Sequence, residues 1–272
     1  MLAVIPYYPQ PKVDFGWISF EAWGVLVAVG FLTGVFLAMR GARRMFLDDR
    51  VISDYGLWAF VGGFTGAHLV HVFFYEPELL AEKWWFVFVI WSGMSSFGGF
   101  LGAAVATIIF FRRRTDSFWH YADPLALGMG PAWAIARVGC FLAHDHRGSL
   151  SDFPLAVDFP GGARHDLGLY DSILTWVLTI VIYVVARFRP RYGVLAGILC
   201  FGYAVVRFFF DFLRATDIEK ADTRYLGLTP AQYGAVALAA FGAYLLWRSR
   251  RMPRHGEHDA GKDSVDAPVI AH

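Results

Sequence analysis

Four polar residues interrupt one of the most apolar stretches of this 272-residue chain. In "YAVVRFFFDFLR", residues 203–214, Tyr203, Arg207, Asp211 and Arg214 recur at spacings of four, four and three. That spacing places all four on one stripe of a helix. A second apolar stretch carries Arg137 and then opens into His144, Asp145, His146, Arg147 and Gly148. A third segment, "RHDLGLYD" at 164–171, sets His165 ahead of an apolar run and Tyr170 at its start. The planar guanidinium fork gives a phosphate two parallel, charge-assisted hydrogen bonds, and imidazole moves protons near neutral pH. Arginine and histidine together therefore point to chemistry at the phosphate or glycerol end of an anionic phospholipid. An ionisable group within a membrane span is costly unless it is paired or faces water. Arg137, Arg207 and Asp211 thus admit two readings. One is an Arg207–Asp211 ion pair that ties helices together; the other is a polar cavity, open to the outside, that attracts an anion.

The elements that must position these groups are membrane spans. Hydrophobic residues make up 57% of the chain and charged residues only 17%, with a mean hydropathy of +0.45; a soluble domain carries about 25% charged residues. The apolar residues fall in runs near the length of about 20 that crosses a bilayer. The pattern predicts an all-α integral membrane protein with about seven spans, at 17–39, 52–75, 96–111, 120–143, 169–186, 193–213 and 230–247. "WWFVFVIW" at 84–91 is too short to cross and reads as an interfacial helix. Lys and Arg sort by side. Arg40, Arg43, Arg44, Arg50, Arg112–Arg114, Arg187, Arg189, Arg191, Arg248, Arg250, Arg251, Arg254 and Lys262 fall on one side, and Lys12, Lys83, Arg147, Arg164, Arg214, Lys220 and Arg224 on the other. The richer side is cytoplasmic, so the N-terminus is outside and the C-terminus inside. Residues 1–248 read as the membrane domain, with a periplasmic loop region at about 144–168. Residues 249–272 read as a polar, disordered cytoplasmic tail, dispensable from about Arg254.

Several features carry less. Cys140 and Cys200 give neither a disulfide framework nor a metal spacing. His68 and His71 lie deep in the second predicted span with no acidic neighbour in sequence and read as core histidines. No metal, cofactor or nucleic-acid partner is expected.

The motifs also carry a resemblance. "RVGCFLAHDHRG", "RHDLGLYD", "YAVVRFFFDFLRATD" and the glycine-rich "GMSSFGGFLG" at 93–102 resemble, in order, segments of the prolipoprotein diacylglyceryl transferases of bacterial inner membranes. The resemblance implies transfer of a diacylglyceryl group from phosphatidylglycerol to the lipobox cysteine thiol of a prolipoprotein, presented by its signal peptide, with a thioether formed and glycerol phosphate released. Other membrane lipids would surround the site. By position, Arg137 and Arg207 match the arginines that hold the phosphate, with Gly148, Tyr170, Gly98 and Gly99 at substrate-binding positions. Tyr203, Asp211 and Asp145 match the family's tyrosine and acids, and His165 matches the histidine of the second motif. Trp23 stands where the family has a tyrosine. Phe97 stands where many members have a histidine, Cys140 replaces an asparagine, Asp166 a proline and Gly168 a glutamine. Without the third-span histidine, His165 is the favoured general base. His144 and His146 are the substitutes, unless they are simply a solvated loop. The alternative to an active transferase is a diverged lipid-binding or lipid-transport protein on the same scaffold.

Overall fold

The computed structural model describes residues 5–14, 16, 19–89, 93–218 and 224–257. The chain divides into two compact units, one of residues 1–46 and 122–272, the other of residues 47–121.

The first unit contains short strands β1 (Ile5–Pro6), β2 (Lys12–Asp14) and β3 (Ser19–Glu21), then helix α1 (Ala22–Arg44). The second unit follows with α2 (Asp49–Tyr75), α3 (Pro77–Glu82), a 3₁₀ turn at Trp84–Phe88 and α4 (Ser96–Arg112). Helix α5 (Phe118–Ala143) leads back into the first unit. There it is followed by β4 (Arg147–Leu150), β5 (Val157–Phe159), β6 (Gly162–Asp166), α6 (Leu167–Ala186), α7 (Val194–Phe210), a 3₁₀ turn at Asp211–Leu213 and α8 (Pro230–Ser249).

Among the described residues, five helices are long and apolar enough to cross a membrane: Ala22–Arg44, Asp49–Tyr75, Phe118–Ala143, Leu167–Ala186 and Val194–Leu213. The apolar helix at Phe97–Arg112 is shorter. Each predicted span overlaps a helix, though in the first, residues 19–21 form β3 and α1 runs on to Arg44; the chain is a multi-pass, mostly helical membrane protein. Its outer faces carry large apolar side chains such as Leu32, Phe36, Ile180 and Phe209, which lipid can cover without leaving a backbone polar group unmet.

Small residues set the helix contacts, as expected where lipid removes the hydrophobic drive and close backbone approach replaces it. In the first unit, Gly30, Gly34 and Ala38 of α1 meet Gly128 and Ala132 of α5. In the second, Gly62 and Gly66 of α2 meet Gly98, Gly102 and Ala106 of α4.

Further segments differ from the sequence expectation. The aromatic stretch at 84–91 is helical only as a short 3₁₀ segment. Trp84–Phe88 forms a 3₁₀ turn after α3, and His68 Nε2 bonds the Val87 carbonyl at 2.9 Å; residues 90–92 lie outside the described residues. The tail is not free from 249 onward. His255 is buried and its Nε2 donates to Asp123 Oδ2 at 2.7 Å, its ring lies 4.7 Å from Tyr192, and Arg191 donates to the Arg250 carbonyl. The same Asp123 accepts the Gly193 and Ala196 amides at 2.9 Å each, at the start of α7. A buried carboxylate with three donors is satisfied, and that requirement draws the polar segment back. Residues 258–272 lie outside the described residues.

Candidate active site

Residues 144–168, read as a loop, fold into a sheet of order β1-β5-β6-β4. Val157 and Phe159 point inward and Asp158 outward, the alternation of a half-buried strand. Gly161 and Gly162, both with positive φ, turn β5 into β6. Gly148 bridges to Arg214, and a Cβ there would sit 2.7 Å from the Leu213 carbonyl and 2.6 Å from the His165 Cβ. Only glycine allows this approach. It fastens the sheet to the end of α7, directly beside the polar stripe.

Arg137, two turns before the end of α5, and Arg207, one turn before the end of α7, are then brought together. Both face Asp171 of α6: Arg137 Nε lies 3.6 Å and Arg207 Nε 3.5 Å from Asp171 Oδ2. Arg207 Nη2 also meets Asp211 Oδ1 at 3.0 Å, and Arg214 Nε meets the same oxygen at 3.1 Å. Asp211 Oδ2 accepts from Thr229, the residue that caps α8. Arg137 Nη2 donates to the Tyr203 hydroxyl at 3.3 Å, and its guanidinium stacks 4.9 Å from the Trp133 ring. Arg137 Nη1 also donates to the Cys140 sulfur at 3.7 Å. The ion pair and the polar cluster are therefore one arrangement: Arg207–Asp211 is present, and Arg207 also belongs to the group around Arg137. Arg207 Nη1 is buried and makes no hydrogen bond among the described residues. Its buried donor is suited to an oxyanion.

The histidines separate sharply. His144 is buried, bonded to Asp166 Oδ2 at 2.9 Å and the Tyr8 carbonyl at 3.0 Å, with Tyr7, Phe141 and Phe159 rings around it. It locks the N-terminal strand to the sheet. Burial pushes the Asp166 carboxyl up while the His144 contact opposes it. His165 Nδ1 bonds the Tyr170 hydroxyl at 2.7 Å and its ring lies against Phe153; burial pushes its imidazole down. Neither arginine of the cluster is among its described partners. Among the described histidines, His146 alone reaches the arginine cluster, with Nε2 3.2 Å from Arg137 Nη1 and Nδ1 2.6 Å from Asp145 Oδ1. Arg164 and Asp217 pair with each other at 2.6 Å at the outer edge.

Gly98 and Gly99 belong to the second unit, where Gly98 packs on Gly66 and Val70, and Gly99 faces Ala67 and Gly63; Phe97 beside them is exposed. The residue missed by sequence reasoning is Asp171. Its signal was present as the last letter of "RHDLGLYD", where it reads as one more polar residue entering a span.

Comparison with known proteins fits this geometry. Residues 12–248 match the family described as prolipoprotein diacylglyceryl transferase. Three relatives bear the name phosphatidylglycerol–prolipoprotein diacylglyceryl transferase. That of Chromohalobacter salexigens is 31% identical over 242 residues, covering 85% of this chain and 88% of the relative. That of Allorhizobium ampelinum is 28% identical over 278 residues, covering 94% and 96%. That of Pseudoalteromonas atlantica is 30% identical over 270 residues, covering 91% and 94%. With the match spanning every element that builds the arginine cluster, the chain belongs to the prolipoprotein diacylglyceryl transferase family.

Proposed function

We propose that this chain transfers the diacylglyceryl group of phosphatidylglycerol to the lipobox cysteine of a prolipoprotein, as the names of its relatives state for them. One observation carries the reading. Two arginines from different helices converge on a single carboxylate, and each keeps a buried donor without a hydrogen bond among the described residues, Arg137 Nε and Arg207 Nη1. A lipid phosphate supplies the missing acceptor. Held by both guanidiniums, it becomes a better leaving group, because the charge that develops on its ester oxygen meets fixed positive charge in a water-poor site. The thiol sulfur attacks the glyceryl carbon, the carbon–oxygen bond breaks, and glycerol phosphate departs. Tyr203 and Asp211 orient the arginines; Gly148, Tyr170 and His165 form the adjoining wall against which the acceptor peptide lies.

Among the described residues, all seven helices of 17 residues or more cross the membrane, with residues 1–248 as the membrane domain. Two features favour an N-outside, C-inside orientation. The basic clusters lie on one side of the seven spans. In the first unit, β1 pairs with β5 of the 144–168 region, whereas the C-terminal segment docks on the 187–193 connection at the starts of α5 and α7. The location is the bacterial inner membrane, with 144–168 facing the periplasm and the signal peptide entering from the lipid. Phe97 favours a second reading, lipid binding without transfer. Mass spectrometry of a lipobox peptide incubated with the protein and phosphatidylglycerol decides between them. A thioether-linked diacylglyceryl adduct is expected, and an unmodified peptide with lipid still bound would leave the second reading standing.

A further inference from the structure

Phenylalanine cannot accept a proton, so with Phe97 in the third-span motif the thiol needs another base. We propose that the Asp145–His146 pair is that base, and that Arg137 covers it until it turns to the lipid phosphate. This rests on the transferase reading above.

The hydrogen-bond roles are forced by chemistry. A guanidinium only donates, so the contact from Arg137 Nη1 to His146 Nε2 at 3.2 Å makes Nε2 the acceptor, with its lone pair facing the arginine. The ring proton then lies on Nδ1 and is donated to Asp145 Oδ1 at 2.6 Å. This is the orientation of a base whose tautomer is held by a carboxylate. Arg137 and Asp145 are the charged side chains bonded to His146 among the described residues; Leu167 at the start of α6 reaches only its backbone carbonyl. The other two candidates are committed elsewhere, His144 to Asp166 and Tyr8 and His165 to Tyr170.

The same contact sets an order. An anionic phosphate oxygen is a stronger acceptor for a guanidinium than an imidazole nitrogen is. When phosphatidylglycerol arrives, Nη1 turns to the phosphate and uncovers Nε2. The acceptor thiol then hydrogen-bonds to Nε2 and gives up its proton there. The thiolate forms the carbon–sulfur bond at the glyceryl carbon, and the carbon–oxygen pair leaves with the phosphate. The imidazolium returns its proton to the departing glycerol phosphate or to water, and Arg137 covers Nε2 again. A base exposed only after the lipid is bound keeps the peptide thiol protonated until its electrophile is in place.

The test uses the full-length protein in detergent with phosphatidylglycerol and a synthetic lipobox peptide, with product and bound lipid read by mass spectrometry. His146→Gln should lower kcat by about 10²–10⁴-fold, more than His165→Gln does, with phosphatidylglycerol still bound. The acidic limb of the pH–rate profile should disappear, and added imidazole should restore part of the rate to His146→Ala. Asp145→Asn should move that limb to lower pH, because removing the carboxylate weakens the base, and should lower kcat more than it raises KM. A wild-type rate in His146→Gln overturns the assignment. So does a rate loss in which the acidic limb persists and imidazole gives no rescue. A wild-type protein that binds phosphatidylglycerol but transfers nothing fails at the earlier step, and overturns the transferase reading itself.

Discussion

Arg137 of α5 and Arg207 of α7 reach the same oxygen, Asp171 Oδ2, at 3.6 and 3.5 Å. Seventy positions separate them in the chain, and the carboxylate of a third helix holds them at one depth. A phosphate entering here meets two planar forks. Lysine offers a point charge without the fork, so Arg137→Lys and Arg207→Lys should each cost nearly as much as alanine, about 10²-fold or more in kcat. Steady-state transfer to a lipobox peptide measures it; full activity in both lysine variants removes the phosphate-clamp role.

Asp171 itself is fully buried. Taking one partner from a buried ion cluster leaves the others uncompensated, at a cost of about 3–5 kcal/mol. Asp171→Asn should therefore lower the thermal midpoint of the detergent-solubilised protein clearly. An unchanged midpoint would mean that water already solvates both guanidiniums.

His255 docks the C-terminal segment on Asp123. Removing 258–272 should leave stability and transfer as they are. His255→Ala takes one of three donors from the buried Asp123 and should cost about 1–3 kcal/mol, as should trimming from Arg254. Thermal unfolding of the truncation series checks both halves, and equal stability throughout would show that the docked segment contributes nothing.

His165 gives a pH signature. Burial places its imidazole below its ordinary value near 6.5, so between the folded and unfolded values the unfolded chain binds more protons. Its contribution to stability is present above about pH 6.5 and is lost as pH falls through that window. A plot of melting temperature against pH should fall more steeply below 6.5 for wild type than for His165→Gln. Parallel curves would mean that the imidazole is solvated.

The helices were legible from the chain alone because their causes are local. Apolar runs of bilayer length mark α1, α2, α5, α6 and α7, and the four-residue spacing of Tyr203, Arg207 and Asp211 marks one face whatever surrounds it. The arginines stood out for the same reason, as charges where hydrocarbon makes charge costly. What the tertiary structure decided was which polar groups meet. His144 and His146 are two residues apart and alike in type. Yet one turns into the aromatic seat beneath the sheet and the other onto Arg137, because the chain makes a left-handed turn at His144 and then enters β4. Asp171 became the centre of the cluster only when α5, α6 and α7 packed around it, and His255 found Asp123 across 132 positions. A polar side chain carries no periodic mark of its partner. The partner is chosen by the need to satisfy a buried charge, and that need arises only once packing has excluded water.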